Sequence, residues 1–153
     1  MVKSLKKIFE ILSESPSQTK KIGKILANEF LKTSAKKALV LGLIGDLGGG
    51  KTTLLQGFAV GLGVKEKILS PTFVLIKKFQ IPKFKNFYHI DCYRIQKSKE
   101  LIDLGLKEII ANSRNIVAFE WADRIKRVLP KDTTILKFTF IDKNKRKIEI
   151  YAK

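Results

Sequence analysis

Apolar and polar positions along the chain change period several times, and each change marks an element. Residues 5–12, "LKKIFEIL", have the length of an opening strand. "SPSQ" then reads as a helix start, with Ser15 as N-cap, Pro16 at the first helical position and Gln18 closing a capping box. Ile22, Ile25, Leu26 and Phe30 recur at helical spacing and predict a helix over residues 16–33. "KKALVLGLI", 36–44, is a continuous apolar run of strand length, the pattern of a strand covered on both faces. "TLLQGFAVGLG" predicts the next helix, with Gly61 and Gly63 near its end as stop signals.

The second half is built from shorter pieces. "SPTFVLIKKFQI", 70–81, contains a strand and "KNFYHIDCYR", 85–94, another, with Pro82 and its polar neighbours as a hairpin-like turn. "KELIDLGLKEIIAN" holds one or two short helices interrupted at Gly105, and "NIVAFEW", 115–121, is a short buried strand. Two alternating runs, "TTILKFTFI" and "RKIEIYA", flank "DKNK" and predict a terminal hairpin. Strands alternate with helices early and pair locally later, which predicts an α/β sandwich around a mixed sheet. No linker and no internal repeat interrupts the pattern, and 153 residues suit one domain.

Composition narrows the class. With 44% apolar residues, the chain has enough material for a core, and no apolar run reaches the 18 or more residues of a membrane span. One cysteine, Cys92, excludes an internal disulfide, and the cytoplasm is the expected compartment. The net charge of +17, from 31 basic and 14 acidic side chains, favours phosphate-rich partners. Only five of the basic residues are Arg, the better bidentate phosphate reader, and the lysines are scattered. A solvated surface and an RNA-facing patch therefore both fit, and neither a membrane nor DNA is an expected partner.

The chemistry concentrates in "GDLGGGKTT", 45–53. Gly45, Gly50, Lys51 and Thr52 satisfy the pattern G-x-x-x-x-G-K-[ST], between an apolar strand and a helix. Glycines let successive backbone amides turn toward phosphate oxygens, and the helix start adds its positive dipole end. Lys51 then reaches the terminal phosphates, and the Thr52 hydroxyl is a ligand for Mg²⁺. A metal-side acid is expected where a neighbouring strand ends. Asp91 ends "FYHI" and Glu120 ends "IVAF", and the choice between them stays open. Asp46 is a third acid, inside the loop. His89 shares a strand face with Asp91 and is placed to orient it, or to serve a structural bond. Trp121 is expected to point away from Glu120. Tyr93 and Arg94 suit a contact with a partner or a nucleotide, or a strand cap. Arg146 is expected to approach the bound nucleotide from the hairpin, while Ser70 and Pro71 shape a loop.

Taken together, "GDLGGGKTT", "SPTF", "HIDCYR" and "FEW", in this order, resemble the TsaE family over almost the whole chain. Gly49, where the family often has Ala, and Cys92, where it often has Leu, are small departures. The resemblance implies one domain over residues 1–153 with a P-loop NTPase-like three-layer sandwich, a mixed and mostly parallel central sheet, and a C-terminal hairpin. It implies a Mg²⁺-dependent ATPase that works with the TsaB and TsaD proteins to make threonylcarbamoyladenosine next to the anticodon of tRNA, slow on its own.

Carried over by motif, Asp46, Leu47, Gly48, Gly49, Gly50, Lys51, Thr52 and Thr53 wrap the phosphates, and Thr19 lies near the adenine. Thr52 and Glu120 ligate Mg²⁺, with Asp91 beside them directly or through water. Lys51, Asp91, Glu120 and Thr72 carry the chemistry, with Thr72 on a switch-like segment near the γ-phosphate. Two rivals remain at this level: a small P-loop kinase acting on a nucleoside or metabolite, and a nucleotide-gated RNA-binding module.

Overall fold

A computed structural model describes residues 4–46, 48, 50–69, 75–83 and 85–153. Its elements in chain order are β1 (Lys6–Ser13), α1 (Pro16–Lys32), β2 (Leu39–Gly45), α2 (Lys51–Leu62), β3 (Ile76–Ile81), β4 (Lys85–Asp91), α3 (Lys99–Asp103), α4 (Leu106–Ala111), β5 (Asn115–Glu120), β6 (Thr134–Phe140) and β7 (Arg146–Ala152). A single turn of 3-10 helix, Ala122–Ile125, follows β5. The seven strands form one sheet in the order β1-β7-β6-β2-β5-β4-β3. At its centre β6, β2, β5 and β4 run parallel, and antiparallel pairing adds β7 and β1 at one edge and β3 at the other.

This is the three-layer sandwich that the pattern predicts. One apolar layer joins the sheet to α1 and α2 through Leu41, Leu43, Leu54, Phe58, Phe87 and Leu136. The other joins it to α3, α4 and the 3-10 turn through Val40, Ile90, Leu101, Val117, Phe119 and Ile125. All six residues of β5 are buried, as a strand covered on both faces requires.

Local chemistry sets most boundaries. Ser15 caps α1 by accepting from the Gln18 amide. The Gln18 side chain accepts from the Glu14 amide, so the box closes one residue earlier than its usual partner. The run at 36–44 becomes a strand only from Leu39, and the Ala38 amide is already committed to the Ile110 carbonyl. β4 ends at Asp91, whose carboxylate accepts from the Tyr93 amide and turns the chain. Gly61 is not a stop signal: α2 continues to Leu62 and closes on Gly63, which adopts the left-handed conformation at φ 94°.

Gly61 instead belongs to a contact between helices. α1 and α2 lie side by side, with Gly57 against the Lys20 backbone and Gly61 against Ala27 and Lys24. Both helices advance in the same direction along this contact, so the start of α1 lies toward the loop end of α2. A methyl group at Gly57 would collide with the Lys20 carbonyl, which is backbone and cannot swing aside. Gly57→Ala is expected to lower stability by about 2–3 kcal/mol, the cost of overpacking a tight contact, despite the better helix propensity of Ala. Thermal unfolding checks this, and an unchanged or raised midpoint would contradict the rigid packing of α1 on α2.

Candidate functional site

The carboxyl ends of β2, β5 and β4 lie side by side, and the residues singled out by sequence sit on them. β2 ends at Gly45, whose φ of 133° belongs to glycine, and where a side chain would strike the Phe138 carbonyl of β6. Gly48 and Gly50 also have positive φ, 77° and 97°. Gly50 is the N-cap of α2 and supplies no side-chain oxygen to the first-turn amides. Those amides, with Thr52 and Thr53 among their residues, present the positive end of the helix to the loop. Leu47 and Gly49 lie outside the described residues, as do Thr72 and the rest of "SPTF".

Lys51 is 5% exposed and folds back over the loop. Its Nζ donates to the Gly45 carbonyl at 2.6 Å and the Asp46 carbonyl at 2.7 Å. It also stands 4.1 Å from the centroid of the Trp121 ring. Burial lowers the Lys51 ammonium from its ordinary range, against the opposing pull of Glu120, Asp123, Asp46 and Asp91. Trp121 packs against the layer of Val117 and Phe119, opposite the face of Glu120 as expected, but its ring also borders the site at Lys51. Strand alternation ends at Glu120, because Trp121 takes a left-handed backbone at φ 58°. That twist turns the indole toward the loop. Tyr93 packs against it with ring centroids 5.0 Å apart, and the Arg124 guanidinium lies 5.2 Å from the Tyr93 ring.

Glu120 is the hub. It pairs in register with Leu43 of β2 on one side and Asp91 of β4 on the other. The Thr52 hydroxyl donates to its Oε1 at 2.8 Å, and His89 Nε2 lies 2.8 Å from its Oε2. His89 therefore meets Glu120 across the ladder, and not Asp91 on its own strand. The Asp91 carboxylate has turned to the Tyr93 amide at 2.9 Å. Burial alone would push the Glu120 carboxyl up, but His89, the Thr52 hydroxyl and Lys51 together hold it below its usual value. Asp91 is shifted the other way, raised by burial and by the charge on Glu120, with the Tyr93 amide pulling against them.

The remaining expected residues fall around this centre. Arg146 reaches the loop from β7: its Nε donates to the Gly48 carbonyl at 3.2 Å, and its guanidinium also bonds the Asp142 and Lys145 carbonyls. Thr19, in the first turn of α1, is 2% exposed, and its hydroxyl is shared with Ser13 Oγ at 2.7 Å and the Ser15 carbonyl at 3.2 Å. Sequence reasoning missed Arg124, because the 3-10 turn that carries it has no periodic signature.

The model of the family described as "Threonylcarbamoyl adenosine biosynthesis protein TsaE" matches residues 13–148, which hold every element from α1 to β6 and the start of β7. The chain belongs to the TsaE family. Relatives named tRNA threonylcarbamoyladenosine biosynthesis protein TsaE include that of Aquifex aeolicus, 38% identical over 146 residues, 94% of this chain and 96% of that one. The Bacillus subtilis protein of the same name is 41% identical over 118 residues, 77% of this chain and 69% of its own. The crystal structure of Bacillus subtilis YdiB superposes with a TM-score of 0.74 at 32% identity, covering 97% of this chain and 86% of that one. The P-loop NTPase-like fold thus agrees with that of a solved neighbour. Among the described residues of this TsaE chain, no helix is long and apolar enough to cross a membrane.

The depressed Glu120 carboxyl makes a statement about acid stability. It titrates below the ordinary 4.5, so the ionised form stabilises the fold above that pH, and this contribution is lost as pH falls through the lower folded value. Glu120→Gln lacks the contribution at every pH. In urea unfolding, the gap between the two proteins is expected to be widest above pH 4.5 and to close as acid is added. A gap that does not change with pH would contradict a charged, hydrogen-bonded Glu120.

Proposed function

We propose that this chain binds ATP with Mg²⁺ through residues 45–53 and hydrolyses it in the service of threonylcarbamoyladenosine modification of tRNA, alongside TsaB and TsaD. The observation that carries this reading is the 2.8 Å contact between Thr52 and Glu120. It joins the hydroxyl of the P-loop to a buried carboxylate that the chain supplies 68 residues later. Hydroxyl and carboxylate oxygens suit Mg²⁺, which takes few ligands from protein and completes its shell with substrate phosphates and water. Thr52 and Glu120 would hold the ion, with Asp91 beside Glu120 acting through water. Bound there, Mg²⁺ would neutralise charge on the β- and γ-phosphates.

The rest of the work falls to the chain. The first-turn amides of α2 and the backbone around Gly48 and Gly50 would receive the phosphate oxygens, and Lys51 would exchange the Gly45 and Asp46 carbonyls for them. A water forms the new bond to the γ-phosphorus as the bond to the bridging oxygen breaks, and ADP leaves with that oxygen. Thr72 would lie beside the γ-phosphate, and the Thr19 end of α1 would flank the adenine. Arg146 is spent on loop carbonyls and Arg124 on aromatic rings, so neither stands ready to neutralise the transition state. Slow hydrolysis by the chain alone follows, with a faster rate when the partners reorder the site.

Two measurements test this. Phosphate release is expected to rise when TsaB and TsaD are added and to fall by roughly a hundredfold or more in Lys51→Ala, as loss of a main charge-stabilising group should cause. Equal turnover with and without the partners would contradict the proposed division of labour. A phosphorylated nucleoside would mean kinase chemistry instead. Trp121 is the only tryptophan, so its fluorescence reports the second event. ADP is expected to change the emission saturably by drawing Lys51 off the ring, and adenosine is not. An emission blind to ADP under conditions where calorimetry detects binding would contradict the proposed movement of Lys51.

A further inference from the structure

His89 is the only histidine in the chain, and it is 0% exposed. Its neighbours on the same face are Phe87 in the core, Asp91 at the strand end, Ala118 as its partner on β5 and the exposed Lys77 as its partner on β3. An imidazole is an expensive way to fill such a place, because a buried polar ring costs free energy unless its nitrogens are bonded. Only one of them is. Nε2 meets Glu120 Oε2 at 2.8 Å, while Nδ1 has no hydrogen-bond partner among the described residues. A histidine retained to tie two structural groups together would use both nitrogens. This one serves a single acceptor, and that acceptor is the carboxylate whose other oxygen faces Thr52.

The geometry also places a ring hydrogen. A carboxylate offers only acceptors, so Nε2 carries a hydrogen and donates it to Glu120. Without that donor, Glu120 would be free to rotate. Asp91 stands in register beside it, with a like charge at the same level of the sheet, and like charges directly opposite repel. Rotation would relieve the repulsion and take Oε1 off Thr52.

We propose that His89 is a positioning residue, which pins one oxygen of Glu120 and so presents the other, with the Thr52 hydroxyl, as a preset pair of ligands for the divalent cation. The proposal rests on the magnesium-nucleotide reading above. The role is that of a hydrogen-bond partner behind a metal-binding carboxylate, whose loss commonly weakens metal affinity by about ten- to a hundredfold.

The test measures ADP binding by calorimetry with and without Mg²⁺, in the unaltered chain and in His89→Leu, His89→Gln and His89→Asn. Gln carries its amide nitrogen to about the place of Nε2, whereas Asn reaches only that of Nδ1. The unaltered chain is expected to bind ADP more tightly with Mg²⁺. His89→Leu and His89→Asn should lose about tenfold or more of that increment while keeping their metal-free affinity, and His89→Gln should recover most of it. Should His89→Leu fail to fold, the Gln and Asn variants still decide. An equal increment in those two variants, or a larger one for Asn, overturns the proposal, as does an undiminished increment in a folded His89→Leu. No increment in the unaltered chain would instead remove the magnesium reading beneath it. Nitrogen-15 labelling of the single histidine gives an independent readout: a hydrogen on Nε2, slow to exchange, supports the proposal, and a ring whose only hydrogen is on Nδ1 overturns it.

Discussion

The site depends on the register of three parallel strands. β5 is held between β2 and β4, and the pairing that sets Leu43 and Asp91 on either side of Glu120 decides where that carboxylate emerges. A slip of one residue would turn Glu120 into the opposite layer, among Val117, Phe119 and Ile90 and away from Thr52. Two polar ties to β4 lie at the ends of β5, Asn115 with Asn86 and Glu120 with His89. Between them the register follows from two apolar faces, each filled by its own helices, so core packing helps set the aim of the Glu120 carboxylate. Thr52 is positioned in the same indirect way. It stands one residue inside α2, and α2 is located by the close backbone approach of Gly57 to α1.

That division explains what could be read from the chain. Elements with local causes were legible: the Ser15 cap and Pro16 mark the start of α1, and the glycines with Lys51 mark the loop and its helix. The acids at strand ends were legible as candidates. Which of them meets Thr52 was not, because it depends on strand order, and the pattern 115–120 does not say that β5 lies between β2 and β4. His89 was visible as a neighbour of Asp91 along its own strand, but its bond runs across the ladder to Glu120. Gly61 looked like punctuation because glycine usually breaks helices, and tertiary packing overrode that preference. Arg146 was expected from sequence to approach the nucleotide; the β6–β7 hairpin lying against β2 carries it to the Gly48 carbonyl of the loop.

Lys51, His89 and Glu120 are all nearly or wholly buried within one small volume. Removing such groups from water costs more than their mutual attraction returns unless the remaining hydrogen-bonding capacity is filled. Here it is only partly filled. Lys51 leans on two carbonyls and an indole face, and one nitrogen of His89 has no partner among the described residues. A sequence selected for stability alone would replace these groups with apolar ones of similar size. Their presence is a local inconsistency in an otherwise consistent fold, which is where function is to be sought.

Trp121 shows how the chain tolerates that inconsistency. A bulky residue at φ 58° costs about 1–2 kcal/mol relative to an ordinary backbone. The indole packs against the layer of Val117 and Phe119 while its ring also borders Lys51. The twist thus brings an aromatic face under a desolvated cation, an interaction that gains strength as water is excluded. The same twist starts the 3-10 turn that carries Arg124 back over Tyr93, fixing the indole from its other side. Backbone strain at a single residue thus holds Lys51 over the loop and sets one wall of the site.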